Sequence, residues 1–560
     1  MQKQLIECVP NFSEGRDMEI IRQITDQIET VEGVKLLDVD PGKATNRTVV
    51  TFVGEPEPVL EAAVRAVRKA SELIDMRKHS GAHPRFGATD VCPLVPVANI
   101  TMEETVDWAH KLAKRLGEEV GITVYCYENA ALKKDRRNLA VVRKGEYEGL
   151  KEKLSDPNWA PDFGPSEFNP VSGATAVGAR DFLVAYNVNL NTTSVRRANA
   201  VAFDVREKGR VKRDPVTGKA LKDEKGNKVW QPGTLKCVKG IGWFIEEYGI
   251  AQISMNLTNI SVTPVHVAFD EVCTKAQERG LRVTGSELVG LIPLEAMLDT
   301  GRYFLKKQQR STGVSDRELI KIAVKSLGLN DLYEFKPEEK IIEYAIRADD
   351  KSKKLVDMTL TDFMEETASE SPAPGGGSIS AYVGALGAAL ATMVANLSSH
   401  KKSMESRWEY FSDWAEKGKA LHDELNALVD EDTNAFNRII EAARLPSGSE
   451  EEKTAKAKAE DEATKYAIMV PFRVMEKALQ SMDVIQAMAE EGNPASVSDA
   501  GVGALCARTA VLGAFLNVQI NCSGVDDKTW VEDILAQGKK IRDEALIREE
   551  EILNIVQDKM

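Results

Sequence analysis

Residues 79–96 read His79-Ser80-Gly81-Ala82-His83-Pro84-Arg85-Phe86-Gly87-Ala88-Thr89-Asp90-Val91-Cys92-Pro93-Leu94-Val95-Pro96, so two of the chain's six histidines share one glycine-bounded loop with an arginine. An imidazole with a pKa of about 6.5 gives and takes protons near neutrality, as a general acid or base must. Pro84 disfavours the α conformation for the residue before it, which puts His83 on extended backbone. The plainer reading of the same residues is a surface His-Pro turn. A second concentration is Val429-Asp430-Glu431-Asp432, three consecutive acids in a helical stretch. A carboxyl group that shares the field of other acids holds its proton more tightly, and a retained proton can be delivered to a poor leaving group. Consecutive residues fan around a helix, so only one or two of the three face any one site. By composition alone such a cluster is a solvated face. The third stretch, Pro374-Gly375-Gly376-Gly377-Ser378, opens a long apolar segment. No Gly-Lys-Ser/Thr follows, so it is not a phosphate-binding P-loop. Its free N–H groups still suit an anion such as a substrate carboxylate.

Hydrophobic periodicity places these stretches on elements. Strands over 3–9, 33–40, 48–53 and 88–97, with helices over 17–30 and 56–74, give the order βαββαβ, the ferredoxin-like pattern. A helix at 103–118 and a strand at 122–126 extend it, and Pro/Gly/Asp-rich sequence from Asp156 to Gly173 interrupts the periodicity. From Asp181 the pattern restarts with a strand at 182–188, a helix near 193–205, strands at 240–247 and 250–258, a helix at 265–278 and a strand near 282–286. Between helix and strand lies Glu207 to Gly233, rich in Lys, Asp and Gly, which reads as an exposed hairpin insertion. Beyond a polar stretch at Arg347 to Lys354 the chain is helical almost throughout, with breaks at Pro446-Ser447-Gly448, Gly492-Asn493-Pro494 and Ser523-Gly524. The expectation is a multidomain protein: two ferredoxin-like α+β (βαββαβ) subdomains followed by an all-α helical bundle domain. The boundaries are 1–178, 179–328, a linker at 329–355, and 356–560.

Composition sets limits on function. At 560 residues the chain exceeds the roughly 250–300 at which single cores stop growing. Its net charge of −14 is uneven, since residues 351–560 hold 23 Lys and Arg against 36 Asp and Glu, leaving 50 against 51 in the rest. That balance argues against general nucleic-acid binding, which needs a basic face to displace counterions from phosphates. Seven scattered cysteines without a CxxC pair indicate neither a zinc site nor a disulfide framework, and read as core thiols in a reducing compartment. The opening Met-Gln-Lys-Gln-Leu-Ile-Glu lacks the apolar run of a signal peptide, so the expected location is cytoplasmic. Pro372 to Ser399 contains no charged residue and exceeds the roughly 20 residues of a membrane span. Gly, Ala and Ser fill much of it and no second such segment is read, so it is taken as a buried helix or subunit interface rather than a membrane helix.

Three ordered motifs resemble the glutamate formiminotransferase family: Cys8-Val9-Pro10-Asn11-Phe12-Ser13-Glu14-Gly15-Arg16, then Leu37-Asp38-Val39-Asp40 through Asn46-Arg47-Thr48, then His83-Pro84-Arg85. The glycine run at 375–378 and Val429-Asp430-Glu431-Asp432 resemble the formimidoyltetrahydrofolate cyclodeaminase family. Joined in this order, they resemble the bifunctional formimidoyltransferase-cyclodeaminase family over nearly the whole chain. The resemblance implies transfer of a formimino group from N-formimino-L-glutamate to tetrahydrofolate, then closure to 5,10-methenyltetrahydrofolate with loss of ammonia, in histidine degradation and one-carbon metabolism. It implies tetrahydrofolate as cosubstrate, no metal, small-molecule partners and a homo-oligomer, with neither nucleic acid nor membrane involved. By resemblance His83 is the catalytic group of the first step and Asp432 the acid of the second, although a small residue is expected where Glu431 stands. Asp40 would hold the folate or orient the imidazole. Arg85 or Arg47 would fork a glutamate carboxylate, or else form a surface ion pair. Gly164-Pro165-Ser166-Glu167-Phe168-Asn169-Pro170-Val171-Ser172-Gly173 matches the family's folate-contacting segment, with Phe168 placed to stack on an aromatic ring. Gly375, Gly376, Gly377 and Ser378 complete the expected binding residues.

Overall fold

The computed structural model describes residues 4–43, 46–81, 84–347 and 354–560. The chain forms two compact units: one comprises Met1–Met297 and Leu327–Asp350, the other Leu298–Ser326 and Lys351–Met560.

The first unit is α/β and contains two mixed or antiparallel sheets. Its larger sheet holds β1 (Leu5–Cys8), β2 (Asn11–Phe12), β3 (Val34–Gly42), β4 (Arg47–Gly54), β5 (Thr89–Ala98), β6 (Thr123–Glu128) and β7 (Ala174–Ala179). β1 and β2 are one line of backbone broken at Val9–Pro10, since both pair antiparallel with β4 and β5. Pro10 has no N–H for the ladder, yet its carbonyl still accepts from Val50 N at 3.0 Å. The single strand expected at 3–9 is therefore shorter, with a second piece after the proline. β3 lies outside β4, and β7 and β6 extend the other edge in parallel from β5. Nothing in the sequence reading anticipates β7. Ala174-Thr175-Ala176-Val177-Gly178-Ala179 is poor in the branched and aromatic residues that mark strands. Its small residues are needed, because a Cβ on Gly178 would meet the Tyr127 ring at 2.6 Å.

Helices cover this sheet. Asp17 caps the helix Met18–Glu29 through its carboxylate, and Ile21, Ile24 and Ile28 recur on its buried face. Each such side chain contributes about 1.5–3 kcal/mol by leaving water. The helix Pro56–Leu73 buries Val59, Leu60, Ala63, Val64 and Val67 against the same core.

The smaller sheet holds β8 (Val184–Leu190), β11 (Val238–Ile245), β12 (Ile250–Leu257) and β13 (Val283–Val289) in the order β11-β12-β8-β13, every neighbouring pair antiparallel. The insertion contributes a separate pair, β9 (Arg210–Val211) with β10 (Trp230–Gln231), and its two turns are closed by Asp214 and Asp223 accepting from backbone N–H groups.

The second unit is largely helical, built from Gly376–His400, Trp408–Ala443, Glu450–Glu491, Val497–Asn521 and Lys528–Lys559. Residues 311–316 seat on it: Thr312 N donates to Ser412 Oγ at 3.0 Å, Asn396 Nδ2 donates to Gly313 O at 2.8 Å, and Asp316 pairs with Lys419 at 2.8 Å. Gly376–His400 buries Ala381, Ala385, Ala388 and Ala391, and a Cβ on Gly387 would sit 2.9 Å from Gly503 O. Small residues therefore let two backbones approach closely. Gly376–His400 is the uncharged apolar segment, but a second helical stretch, Pro494–Gly524, is nearly as apolar although it carries Asp499 and Arg508, with a mean hydropathy of 1.5 against 1.6. Both are long and apolar enough to cross a membrane by length and composition, and about half or more of each apolar window packs inside the unit, 50% and 61%.

Candidate functional site

In the first unit a cleft of about 510 Å³ is lined by His79, Ser80, Gly81, Arg85, Gly145, Glu146 and Glu148. The loop before β5 supplies one wall and the helix Glu146–Leu154 the other. His83 lies outside the described residues. His79, four positions earlier, is fixed on both ring nitrogens. Arg85 Nε can only donate, so His79 Nδ1 is the acceptor at 3.1 Å, and Nε2 carries the proton donated to Asn46 O at 2.8 Å. Burial, together with the cationic Arg85, holds its proton affinity below the ordinary histidine value despite the bond to Asn46. His79 is thus a neutral strut that ties the loop to Asn46. Asn46 adds two more ties, accepting from Gly15 N at 3.1 Å and donating to Ser80 O at 3.1 Å.

Arg85 is buried, and its fork is already filled. Nη2 donates to Glu148 Oε1 at 2.7 Å and Nη1 to Glu148 Oε2 at 3.0 Å, with Glu146 Oε2 at 3.2 Å. These partners raise its already high proton affinity. Arg47 opens β4 opposite Gly42, half-buried; Asp40, exposed on β3, stands opposite Val49 and lies in Arg47's field.

The segment 164–173 crosses the same region. Gly164 has φ +78° and a Cβ there would strike Ile122 O, so only glycine fits. Pro165 O accepts from Thr123 Oγ1 at 2.8 Å, while Pro165, Ser166 and Glu167 are exposed. Phe168 meets Tyr147 with ring centroids 5.7 Å apart. Asn169 Oδ1 accepts from Val171 N and Ser172 N, Pro170 O accepts from Tyr147 OH at 2.6 Å, and Gly173 bridges Gly87. Tyr147 N also donates to Arg85 O at 2.9 Å, so one tyrosine joins the arginine loop to residues 168–170.

Sequence reading missed Tyr147, Glu146 and Glu148, whose partners lie more than twenty positions away. It also passed over Asp90, although an acid directly before the apolar run Val91-Cys92-Pro93-Leu94-Val95 was a readable signal. Asp90 is fully buried, accepts from Phe86 N at 3.1 Å and is ion-paired to Arg143. Burial raises its carboxyl to about 6 against the pull of Arg143 and Arg47.

In the helical unit the glycine turn and the acidic helix meet. Ser378 N and Ser378 Oγ lie 2.9 and 3.0 Å from Asp432 Oδ2, and Ser378 Oγ is 3.0 Å from Val429 O. The hydroxyl has one proton and two acceptors. When Asp432 is ionised it takes that proton's bond; when it is protonated, its own O–H can donate to Ser378 Oγ while the hydroxyl turns to Val429 O. A Cβ on Gly377 would lie 2.1 Å from Asp432 Oδ1, and one on Gly376 3.4 Å from Asn517 Nδ2. Gly375 is the N-cap residue and makes no side-chain cap, so Asp432 supplies the acceptor from another helix. The anion first met at this helix start is the protein's own carboxylate.

Asp432 is half-buried, and burial raises its proton affinity while the two Ser378 bonds lower it, burial being the larger effect. The neighbouring acids are not the cause that sequence suggested. Asp430 Oδ1 accepts from Leu355 N at 2.7 Å, and Glu431 accepts from Tyr466 OH and lies 4.0 Å from Arg438. The three acids fan apart, each to a separate partner.

Comparison with known proteins covers both units. Residues 5–180 match the formiminotransferase domain, N-terminal subdomain, residues 185–347 the formiminotransferase domain, and residues 359–540 the formiminotransferase-cyclodeaminase model. The fold and these matches define a two-part chain with a different domain type in each part. It belongs to the formiminotransferase-cyclodeaminase family. It is similar to the formimidoyltransferase-cyclodeaminase of Gallus gallus, 43% identical over 97% of each chain. The glutamate formimidoyltransferase of Streptococcus pyogenes is 40% identical over 54% of this chain and 94% of its own. The methenyltetrahydrofolate cyclohydrolase of Methylorubrum extorquens is 35% identical over 36% of this chain and 97% of its own.

Proposed function

We propose that the chain is a two-site folate enzyme. The first unit moves the formimino group from N-formimino-L-glutamate to N5 of tetrahydrofolate, and the helical unit closes it onto N10 to give 5,10-methenyltetrahydrofolate and ammonia. The observation that carries the reading is Asp432, a half-buried acid of raised proton affinity facing a glycine-lined helix start, in a chain related over nearly its full length to a formimidoyltransferase-cyclodeaminase.

In the first step N5 attacks the formimino carbon and a tetrahedral centre forms. N5 must then lose a proton and the departing glutamate nitrogen must gain one, both of which an imidazole can handle. His83 takes that role, and Asp40 holds the folate or orients the imidazole. Arg85 braces the cleft wall through Glu148 and Glu146, and Phe168 offers a ring face to the pterin or aminobenzoyl group. The rest of 164–173 lines the folate. In the second step N10 attacks the imine carbon, its proton passes to the imine nitrogen, and Asp432 delivers the further proton that makes ammonia the leaving group. The positive charge stays on the methenyl bridge. Gly375 to Ser378 leave room beside the acid.

The strand order β11-β12-β8-β13, with two crossing helices, supports a ferredoxin-like second half; the first half repeats it with β7 and β6 added. The chain works in the cytoplasm on small molecules, needs no metal, and assembles as a homo-oligomer. Leu386, Met393 and Leu397 recur at seven and four residues along one helix and remain exposed, which supports a subunit contact there rather than a membrane face. Appearance of methenyltetrahydrofolate absorbance from formiminoglutamate and tetrahydrofolate tests the reading, and a folded chain that produces none would refute it. Mass in dilute solution tests assembly. The Methylorubrum relative favours a second reading of the helical unit, hydrolysis of the methenyl bridge; loss of supplied 5,10-methenyltetrahydrofolate above the spontaneous rate would establish that one.

A further inference from the structure

We propose that Asn517 is a further substrate-contacting residue of the deamination site, its carboxamide oxygen accepting a hydrogen bond from an N–H of the folate's reacting centre while Asp432 supplies the proton. The inference rests on the deamination reading and adds a second polar group at the glycine turn that Asp432 faces.

Asn517 reaches that turn because the helices Gly376–His400 and Val497–Asn521 pass each other closely in opposite directions. A Cβ on Gly384 would lie 3.1 Å from Ala510 Cβ, and one on Gly513 2.4 Å from Ser380 Oγ. One turn further along each helix, a Cβ on Gly376 would lie 3.4 Å from Asn517 Nδ2 and 3.6 Å from its Oδ1. A Cβ on the next residue, Gly377, would meet Asp432 instead. Amide and acid therefore border consecutive glycines.

The packing of the two helices does not require the amide. Nδ2 donates to Gly513 O at 2.9 Å, a carbonyl that the helix already pairs with Asn517 N. Only the nitrogen of a carboxamide can donate to a carbonyl, so this bond settles which end is which and leaves Oδ1 as the acceptor. Oδ1 meets no donor among the described residues. Asn517 is half-buried beside exposed Gly376, so the amide stands at an opening rather than in the core.

Ring closure makes N10 cationic as it attacks, and the departing nitrogen carries protons of its own. Each presents an N–H that a neutral amide oxygen can accept. A bond to a centre gaining positive charge tightens in the transition state, so it speeds the step as well as holding the folate. The amide has no acidic proton to give, and proton delivery stays with Asp432.

The test uses the full chain as parent, Asn517→Leu, which keeps the shape without polar atoms, and Asn517→Ala, which decides alone if leucine does not fit. Deamination of supplied 5-formiminotetrahydrofolate, its pH profile, formimino transfer and Tm are measured. Loss of a hydrogen bond to a charged centre predicts kcat/KM for deamination about 10- to 100-fold lower, with the alkaline limb, transfer and Tm as in the parent. A kcat/KM within about twofold of parent in Asn517→Ala overturns the assignment. So does a fall accompanied by a lowered Tm, which marks a packing role, or by a displaced alkaline limb, which marks an effect through Asp432. A parent that forms no methenyltetrahydrofolate from the supplied substrate defeats the deamination reading itself, and the role of Asn517 with it.

Discussion

Asp432 Oδ2 stands 2.9 Å from the amide nitrogen and 3.0 Å from the hydroxyl of Ser378, a residue 54 positions earlier in the chain. One helix therefore ends its unsatisfied first turn on an acid carried by another. Both bonds favour the ionised carboxylate, as does the positive end of the helix, while burial favours the protonated one and prevails. A group balanced in this way can release its proton to a substrate and recover it, which a solvated aspartate with an ordinary pKa does poorly at neutral pH.

Asp432→Asn keeps the shape of the side chain, and its amide oxygen still accepts from Ser378 N. The proton is lost. The expected result is accumulation of 5-formiminotetrahydrofolate while its formation continues, with deamination slowed about 10²–10⁴-fold. Deamination within about threefold of parent would exclude proton transfer by this residue.

Gly377→Ala puts a methyl group 2.1 Å from where Asp432 Oδ1 now lies. The carboxyl must rotate or the helix start must move, and either breaks the geometry with Ser378. Deamination should fall at least tenfold, an effect of about 1.4 kcal/mol or more on the barrier, with transfer unchanged. Equal loss of both activities in a normally folded variant would count against a local effect on Asp432.

The two halves of this second site were each visible in the sequence, but their meeting was not. Glycines before a small-residue helix and acids in a polar helix are local patterns, whereas the contact between them depends on packing across 54 residues. The same limit explains Arg85. Its place in a chemistry-bearing loop is legible, yet the glutamates that fill its fork stand 61 and 63 positions later. β7 escaped because its alanines and glycine owe their strand to neighbours on both sides rather than to their own preference. The α/β character of the first part and the long helices of the second were readable because periodicity and caps are written locally, as with Asp17 before Met18–Glu29 and the capping pair of Ser449 and Glu452 at the start of Glu450–Glu491.

His83→Ala should stop formimino transfer while leaving deamination of supplied 5-formiminotetrahydrofolate within about twofold of parent, against the 10²–10⁴-fold expected for loss of an acid or base. The histidine belongs to the first compact unit and Asp432 to the second. Two separate assays on one purified variant settle the division of labour. If both activities vanish while the far-UV spectrum and mass are those of the parent, the assignment of one site to each unit fails.

Ser378→Ala gives the sharpest reading of the balance at Asp432. The hydroxyl bond stabilises the carboxylate more than the acid, because a bond to a charged acceptor is the stronger one. Its removal leaves burial less opposed, so the proton affinity of Asp432, already raised, climbs further. The acid form then persists to higher pH, and the alkaline limb of the deamination profile should move upward relative to parent, with the transfer profile unmoved. Stability carries the same sign. A carboxyl that binds its proton more tightly when folded contributes stability that is fully present below its unfolded pKa and is lost as pH rises through its folded one. In the variant that loss should be larger and complete only at a higher pH, visible as a steeper fall of Tm with pH above the ordinary aspartate range. An alkaline limb that stays in place, or moves to lower pH, would show that the Ser378 hydroxyl does not set the ionisation of Asp432.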